Sequence, residues 1–183
     1  MNQDVERWFL AEGEQLLKKV GIRPGDQVLD FGCGNGCYTI PAAMRAGEEG
    51  VVYALDRSKY ALNELIREVT NRNLRNVVLL HSIEELNRAL GGSRLDVLLL
   101  YDVIHSYYFT NRQRVDLFRF LAPLVNKRGI VSIFPRHMSS REIGEVEEEL
   151  SSLGFRLESE METELLHDQR NTSGRLYTFR SIT

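Results

Sequence analysis

Asp30-Phe31-Gly32-Cys33-Gly34-Asn35-Gly36 sets three glycines at alternate positions behind an acid. On a bend from strand to helix, such a run lets the backbone approach a ligand that any Cβ would hold off. Asp56 follows twenty residues after Gly36, directly behind the apolar run Val51 to Leu55. A carboxylate there can accept hydrogen bonds from both hydroxyls of a ribose. The spacing also discriminates between ligands. A dinucleotide fingerprint carries its third glycine three positions after the second, whereas position 37 is Cys37 and the third glycine is Gly36. An acid at the mouth of the loop opposes a pyrophosphate and suits a ligand with an ammonium group.

The four histidines fall near the predicted carboxyl ends of strands: His81 after the third, His105 after the fourth, His137 after the fifth, His167 near the end of the sixth. In a parallel sheet those ends form one rim, shared here with Tyr101, Asp102, Tyr107, Tyr108, Arg136 and Asp168. Histidine is the side chain most easily tuned to take a proton near neutral pH. His105 and His137 are therefore the candidate catalytic residues, lining an acceptor pocket shaped by Tyr107 or Tyr108. The plainer alternative makes all of them polar residues on wet loops. The rim histidines with Asp102 or Asp168 are metal-ligand types, but they lie on separate strands without short-range pair spacing, so no metal is expected. Cys33 and Cys37 are four apart, which is not a redox-pair spacing, and read as small packing residues.

The elements that position these residues alternate along the chain. Val5, Trp8, Phe9, Leu16, Leu17 and Val20 recur at helical spacing, predicting a helix over 4–20, with Trp8 and Phe9 as a lid over a ligand or as plain core. Val28–Phe31, Val51–Leu55, Asn76–Leu80, Leu95–Tyr101 and Ile130–Phe134 read as strands. Helices follow the first four, through Ala46, to about Arg72, over Ile83–Leu90 and over Asn111–Val125, with Asn126–Gly129 a turn. Ser58 caps one helix, and Ser139 with Glu142 forms a capping box for the helix ending at Gly154. Phe155–Leu166 and Arg175–Phe179 alternate with period two around a loop at 168–174. The expectation is one α/β domain over residues 1–183, with residues 1–25 as an N-terminal helix and turn. Residues 26–183 then form a doubly wound, Rossmann-like, mostly parallel seven-stranded sheet ending in an antiparallel hairpin.

Val28-Leu29-Asp30-Phe31-Gly32-Cys33-Gly34-Asn35-Gly36 resembles motif I of class I S-adenosylmethionine (SAM)-dependent methyltransferases, and the similarity runs from Gly21 through Phe179. The resemblance implies a cofactor, SAM, with its methionine end at Asp30, Gly32, Cys33, Gly34 and Gly36 and its ribose at Asp56 beside Arg57. It implies adenine at Ser82 and the Ile83 N–H, with Ser82 standing where the family usually has an acid. The segment from Asp96 through Tyr101 to His105 would lie under the methionine moiety. Leu124-Val125-Asn126-Lys127-Arg128-Gly129 keeps only the last glycine of the family's turn. No Asn/Asp-Pro-Pro-aromatic motif follows the fourth strand, which disfavours amino-directed base and glutamine methylation. No Pro-Cys follows it either, which excludes the usual C5-cytosine mechanism.

Composition narrows the partners. The chain has 183 residues, 43% hydrophobic and 27% charged, with a formal charge of −3, so no global field draws it to nucleic acid or anionic lipid. Arg112, Arg114 and Arg119 line one helix, but neighbouring acids dilute them to a solvated face. No apolar run is long enough for a membrane span and no leader pattern opens the sequence, so a cytoplasmic location is expected. Little chain is left over for acceptor recognition, which favours a small molecule in a partly open pocket, or a pocket completed by a second subunit or protein partner. A SAM-binding partner subunit without turnover, an RNA or protein methyltransferase, and a nicotinamide-dependent reductase are the rival readings.

Overall fold

The computed structural model describes residues 3–182. Seven strands form one sheet: β1 (Gln27–Phe31), β2 (Val51–Leu55), β3 (Val77–Leu80), β4 (Leu95–Tyr101), β5 (Val125–Phe134), β6 (Phe155–His167) and β7 (Arg170–Ser181). Their order is β3-β2-β1-β4-β5-β7-β6. Strands β1 to β5 pair in parallel, while β7 runs antiparallel to both β5 and β6. The winding reverses between β1 and β4, so the crevice beyond their carboxyl ends is where a ligand is expected.

The sheet is covered on both faces, which is why its central strands are almost wholly apolar. On one face Val28, Val52, Val97 and Leu99 pack against Leu16, Leu17, Ile40, Ala43 and Leu65. On the other, Leu29, Leu98, Val131 and Ile133 pack against Leu86, Leu90, Phe118, Leu121 and Leu150. Alternate residues of one strand thus face opposite layers. The first layer carries α2 (Gly13–Val20), α3 (Thr39–Ala46) and α4 (Lys59–Asn71); the second carries α5 (Ile83–Leu90), α6 (Asn111–Leu121) and α7 (Ser140–Ser152). The expected caps form: Ser58 Oγ accepts from the Ala61 N–H, and Ser139 with Glu142 closes a reciprocal box.

Three boundaries differ from the sequence reading. The first helix is a rod in which α1 (Gln3–Arg7) and α2 flank a π-helical turn at Trp8–Glu12, closed by the Gly13 N–H on the Trp8 carbonyl. Trp8 and Phe9 are core rather than lid: they are buried, and the Trp8 indole donates to the Cys37 carbonyl at 2.6 Å. Helix α6 stops at Leu121, and Asn126–Gly129 is absorbed into β5 as a bulge, with pairing stepping from Leu95↔Val125 to Val97↔Ile130. The expected loop at 168–174 shrinks to Asp168-Gln169, whose φ of 48° and 62° match a two-residue hairpin turn. Residues 170–174 instead extend β7; being polar and on an edge hairpin, they look like loop in sequence. Among the described residues, no helix is long and apolar enough to cross a membrane.

Candidate active site

The glycine loop leaves β1 and is tied to β2 before it reaches α3. The Gly32 and Cys33 N–H groups both donate to the Leu55 carbonyl, at 2.8 and 3.1 Å. Asp56 then bridges the two segments: Oδ2 accepts from the Gly34 N–H at 2.9 Å and Oδ1 from the Ser58 N–H at 2.8 Å. Gly34 has a φ of 54°, and a Cβ built on it would meet no atom within 4 Å. That bare Cα opens onto a cleft of about 660 Å³, within the ~300–1,000 Å³ usual for small-molecule sites. Gly36 serves a different purpose, since a Cβ there would drive into Leu65.

The cleft wall includes Gly32, Gly34, Asp56, Arg57, Ser82 and Ile83 from the expected cofactor set. Asp30, Cys33, Gly36 and Tyr101 stand behind it. Asp30 is 2% exposed and accepts from Thr39 Oγ1 at 2.6 Å. Burial pushes its carboxyl up to about 6, the Thr39 bond opposes that rise, and the Asp56 charge adds to it. The Thr39 bond ties β1 to the start of α3 directly behind the cleft. Tyr101 is buried with its hydroxyl on Ser132 Oγ at 2.8 Å. Burial also raises both thiols, Cys37 to about 12, so neither is a ready thiolate, and the packing role fits them.

At the far end of the cleft, the Ser82 hydroxyl is engaged as the N-cap of α5, accepting from the Glu85 N–H at 3.3 Å. Ser82 keeps its place on the cleft wall, where its oxygen has a second lone pair beyond the capping bond. The Ile83 N–H stays in the first helical turn, where no intrahelical acceptor exists. Glu84, also on the wall, brings a carboxylate to that end, held below its ordinary range first by the Ser82 hydroxyl. The sequence reading passed over Glu84 because it lies two residues beyond the position where an acid is usual. It also missed Phe109, which joins Phe31 and Leu117 in the apolar wall, with ring centroids of Phe31 and Phe109 6.4 Å apart.

The other end of the cleft is Asp102, Val103 and Tyr108. Here the four histidines separate. His81 lies on the cleft wall beside Ser82, whereas His105, His137 and His167 gather around Asp102. The His137 Nδ1 is 2.7 Å from Asp102 Oδ1 and the His167 Nε2 is 2.6 Å from Oδ2. His105 Nε2 stands 3.7 Å from Oδ1. Tyr108 packs on the His105 ring at 4.9 Å and reaches the cleft, while Tyr107 is mostly exposed. The centre of this constellation is Asp102, which the sequence offers only as one rim residue among several.

With this geometry in place, a model of the methyltransferase domain matches residues 22–153. The chain belongs to the methyltransferase-domain family. It is 41% identical over 73 residues to the aklanonic acid methyltransferase of a Streptomyces species and 38% identical over 75 residues to the demethylmenaquinone methyltransferase of a Geobacillus species. Those stretches cover 40% and 41% of this chain and about a third of the relatives, 33% and 32%. Among solved structures, a putative rRNA methylase from Clostridium thermocellum superposes with a TM-score of 0.68 at 20% identity, covering 93% of this chain and 96% of that one. A SAM-dependent methyltransferase from Aquifex aeolicus gives 0.67 at 20% identity, covering 95% and 92%. At such identities these two likenesses speak for the fold, the Rossmann-like sheet with its closing antiparallel strands.

Proposed function

We propose that this methyltransferase-domain protein binds SAM in the cleft and moves its methyl group to a small-molecule acceptor by in-line displacement, leaving S-adenosylhomocysteine. The observation that carries the reading is the Gly34–Asp56 pair. A Cα without substituent faces open space in the cleft, and the loop that bears it is fixed by the carboxylate assigned to the ribose. A cradle that a Cβ would fill, next to an anion, fits an adenosyl sulfonium. When bound, SAM supplies an electrophilic methyl on sulfur.

The chain's own residues then bind, orient and exclude water. Gly32 and Gly34 admit the methionine portion, Asp56 accepts from the ribose hydroxyls, and the Ile83 N–H with the Glu84 carboxylate meets the base. Phe31, Phe109 and Leu117 keep that region dry. The acceptor enters at the Asp102 end, under Tyr108. For a hydroxyl or ammonium acceptor, His137 held by Asp102 is placed to take the proton, with His105 beside it. The small-molecule class is supported by the short acceptor end, by the net charge of −3, and by relatives named for aklanonic acid and demethylmenaquinone. An RNA acceptor is disfavoured because Arg114, the middle of the α6 arginines, is buried in an ion pair with Glu149 at 2.7 Å.

Methyl transfer from labelled SAM to a panel of hydroxylated aromatic and quinol-like acceptors tests this. Label appearing in an acceptor, abolished by excess S-adenosylhomocysteine, is the expected result. Tight cofactor binding with no turnover on any acceptor class would instead favour a non-catalytic SAM-binding subunit.

A further inference from the structure

Three imidazoles converge on one carboxylate at the open end of the cleft, each delivered by a different strand end. Asp102 follows β4 in a left-handed conformation, φ 53°, anchored by its N–H on the Phe134 carbonyl at 2.8 Å. His105 comes from the loop after β4, His137 from the segment after β5, and His167 closes β6. One donor atom each from Asp102, His105 and His137 all lie within 4.8 Å of one another. The individual separations from Asp102 Oδ1 are 2.7 Å to His137 Nδ1 and 3.7 Å to His105 Nε2. The edge of a tetrahedron built on ~2.0 Å metal–ligand bonds is ~3.3 Å, midway between them.

We propose that Asp102 Oδ1, His105 Nε2 and His137 Nδ1 form a two-histidine, one-carboxylate site for a divalent first-row transition cation of the zinc class. Neutral imidazole and carboxylate are the donors such ions take. Three protein ligands leave a coordination position free, as in catalytic rather than structural sites. The surroundings supply the outer contacts that ligands of this kind need. His167 Nε2 lies 2.6 Å from Asp102 Oδ2, the oxygen not used for the ion, and its Nδ1 lies 3.2 Å from Asp168 Oδ2, so His167 is held between two carboxylates and fixes the tilt of the first. Asp102 and His105 are largely shielded, with side chains 18% and 8% exposed, while His137 at 52% leaves an entry path. One contact opposes the site. The Tyr107 N–H donates to His105 Nδ1 at 3.3 Å, and binding at Nε2 puts the ring proton on Nδ1, so that long bond is given up.

Asp102 also lines the cleft, so the free position faces the end assigned to the acceptor. An ion there would hold an acceptor oxygen and lower its pKa, so that its proton passes to solvent and His137 serves as a ligand rather than as the base. That last role rests on the methyl-transfer reading; occupancy by the cation does not. The site departs from the expectation of no metal, which rested on ligands being far apart in sequence, a distance the sheet removes.

The test is calorimetric titration of the chelator-stripped full chain with Zn²⁺, alongside Co²⁺ titration followed by visible absorption. The expected result is one ion per chain, binding at about 10 µM or tighter, with a Co²⁺ spectrum that Zn²⁺ bleaches. His167→Ala should weaken binding about 10–100-fold through the lost outer contact. His137→Ala, at a half-exposed position the fold tolerates, should weaken it more. Absence of saturable uptake, or uptake unchanged in His137→Ala, would overturn the proposal. S-adenosylhomocysteine titrated into the same stripped samples separates the two readings: nucleoside binding without metal uptake defeats only the cation site, and metal uptake without nucleoside binding defeats only the methyl-transfer reading.

Discussion

Asp56 and Gly34 share a hydrogen bond, yet they should fail in different ways. Asp56→Ala removes a charged acceptor for the ribose and leaves the Gly34 and Ser58 N–H groups without their partner. Bonds to charged groups contribute about 1.5–3 kcal/mol, so SAM affinity should fall at least about tenfold by calorimetry; wild-type affinity would remove Asp56 from the site. Gly34→Ala meets no protein atom but places a methyl in the cleft and an L-residue at φ 54°. The backbone cost of about 1–2 kcal/mol should lower Tm by about 2–8 °C while SAM binding is lost outright. Asp30 gives a third test. Its folded pKa of about 6 lies above the ordinary 3.8, so the native state holds the proton more tightly than the unfolded chain. Its contribution is then fully favourable below about pH 4 and is lost as pH rises through 6. The total is about 3 kcal/mol. Asp30→Asn should flatten the stability profile between those pH values, measured by denaturant unfolding; an unchanged slope would show that Asp30 is not the group responsible.

Helices α6 and α7 are joined across their contact by Arg114. Its guanidinium, 1% exposed, donates to both oxygens of Glu149 at 2.9 and 2.7 Å and to Glu145 at 3.4 Å. A solvated arginine stripe was the natural reading of that helix, because Arg112, Arg114 and Arg119 carry no mark in sequence of which one turns inward. Glu149→Gln keeps the shape and weakens a charge-assisted pair, so it should cost about 2 kcal/mol and lower Tm by about 4–8 °C. Other elements were legible because local and global signals agree. Val51–Leu55 and, apart from Asp96, Leu95–Tyr101 lack polar alternation since both faces are covered, and the Ser139–Glu142 box announces its helix. Legibility failed where exposure imitates a loop, as at residues 170–174, and where a bulge hides three polar residues and a glycine inside β5.

At the scale of the molecule, the glycine loop and Asp56 were readable because their chemistry lies within one βαβ unit. The Asp102 cluster was not, because its members lie up to 65 residues apart and meet only when β4, β5 and β6 end at one rim. The rim of the sheet therefore carries two candidate sites: a local one that follows from a short motif, and the Asp102 cluster, proposed as the acceptor end, which topology assembles. The claim on which everything turns is that the cleft is an adenosyl site. Calorimetric titration of the purified chain with S-adenosylhomocysteine, with NADH as the comparison, tests it most directly. The expected result is saturable binding of one S-adenosylhomocysteine per chain, weakened by Asp56→Ala, and no binding of NADH. Binding of NADH instead, or of neither, would contradict it.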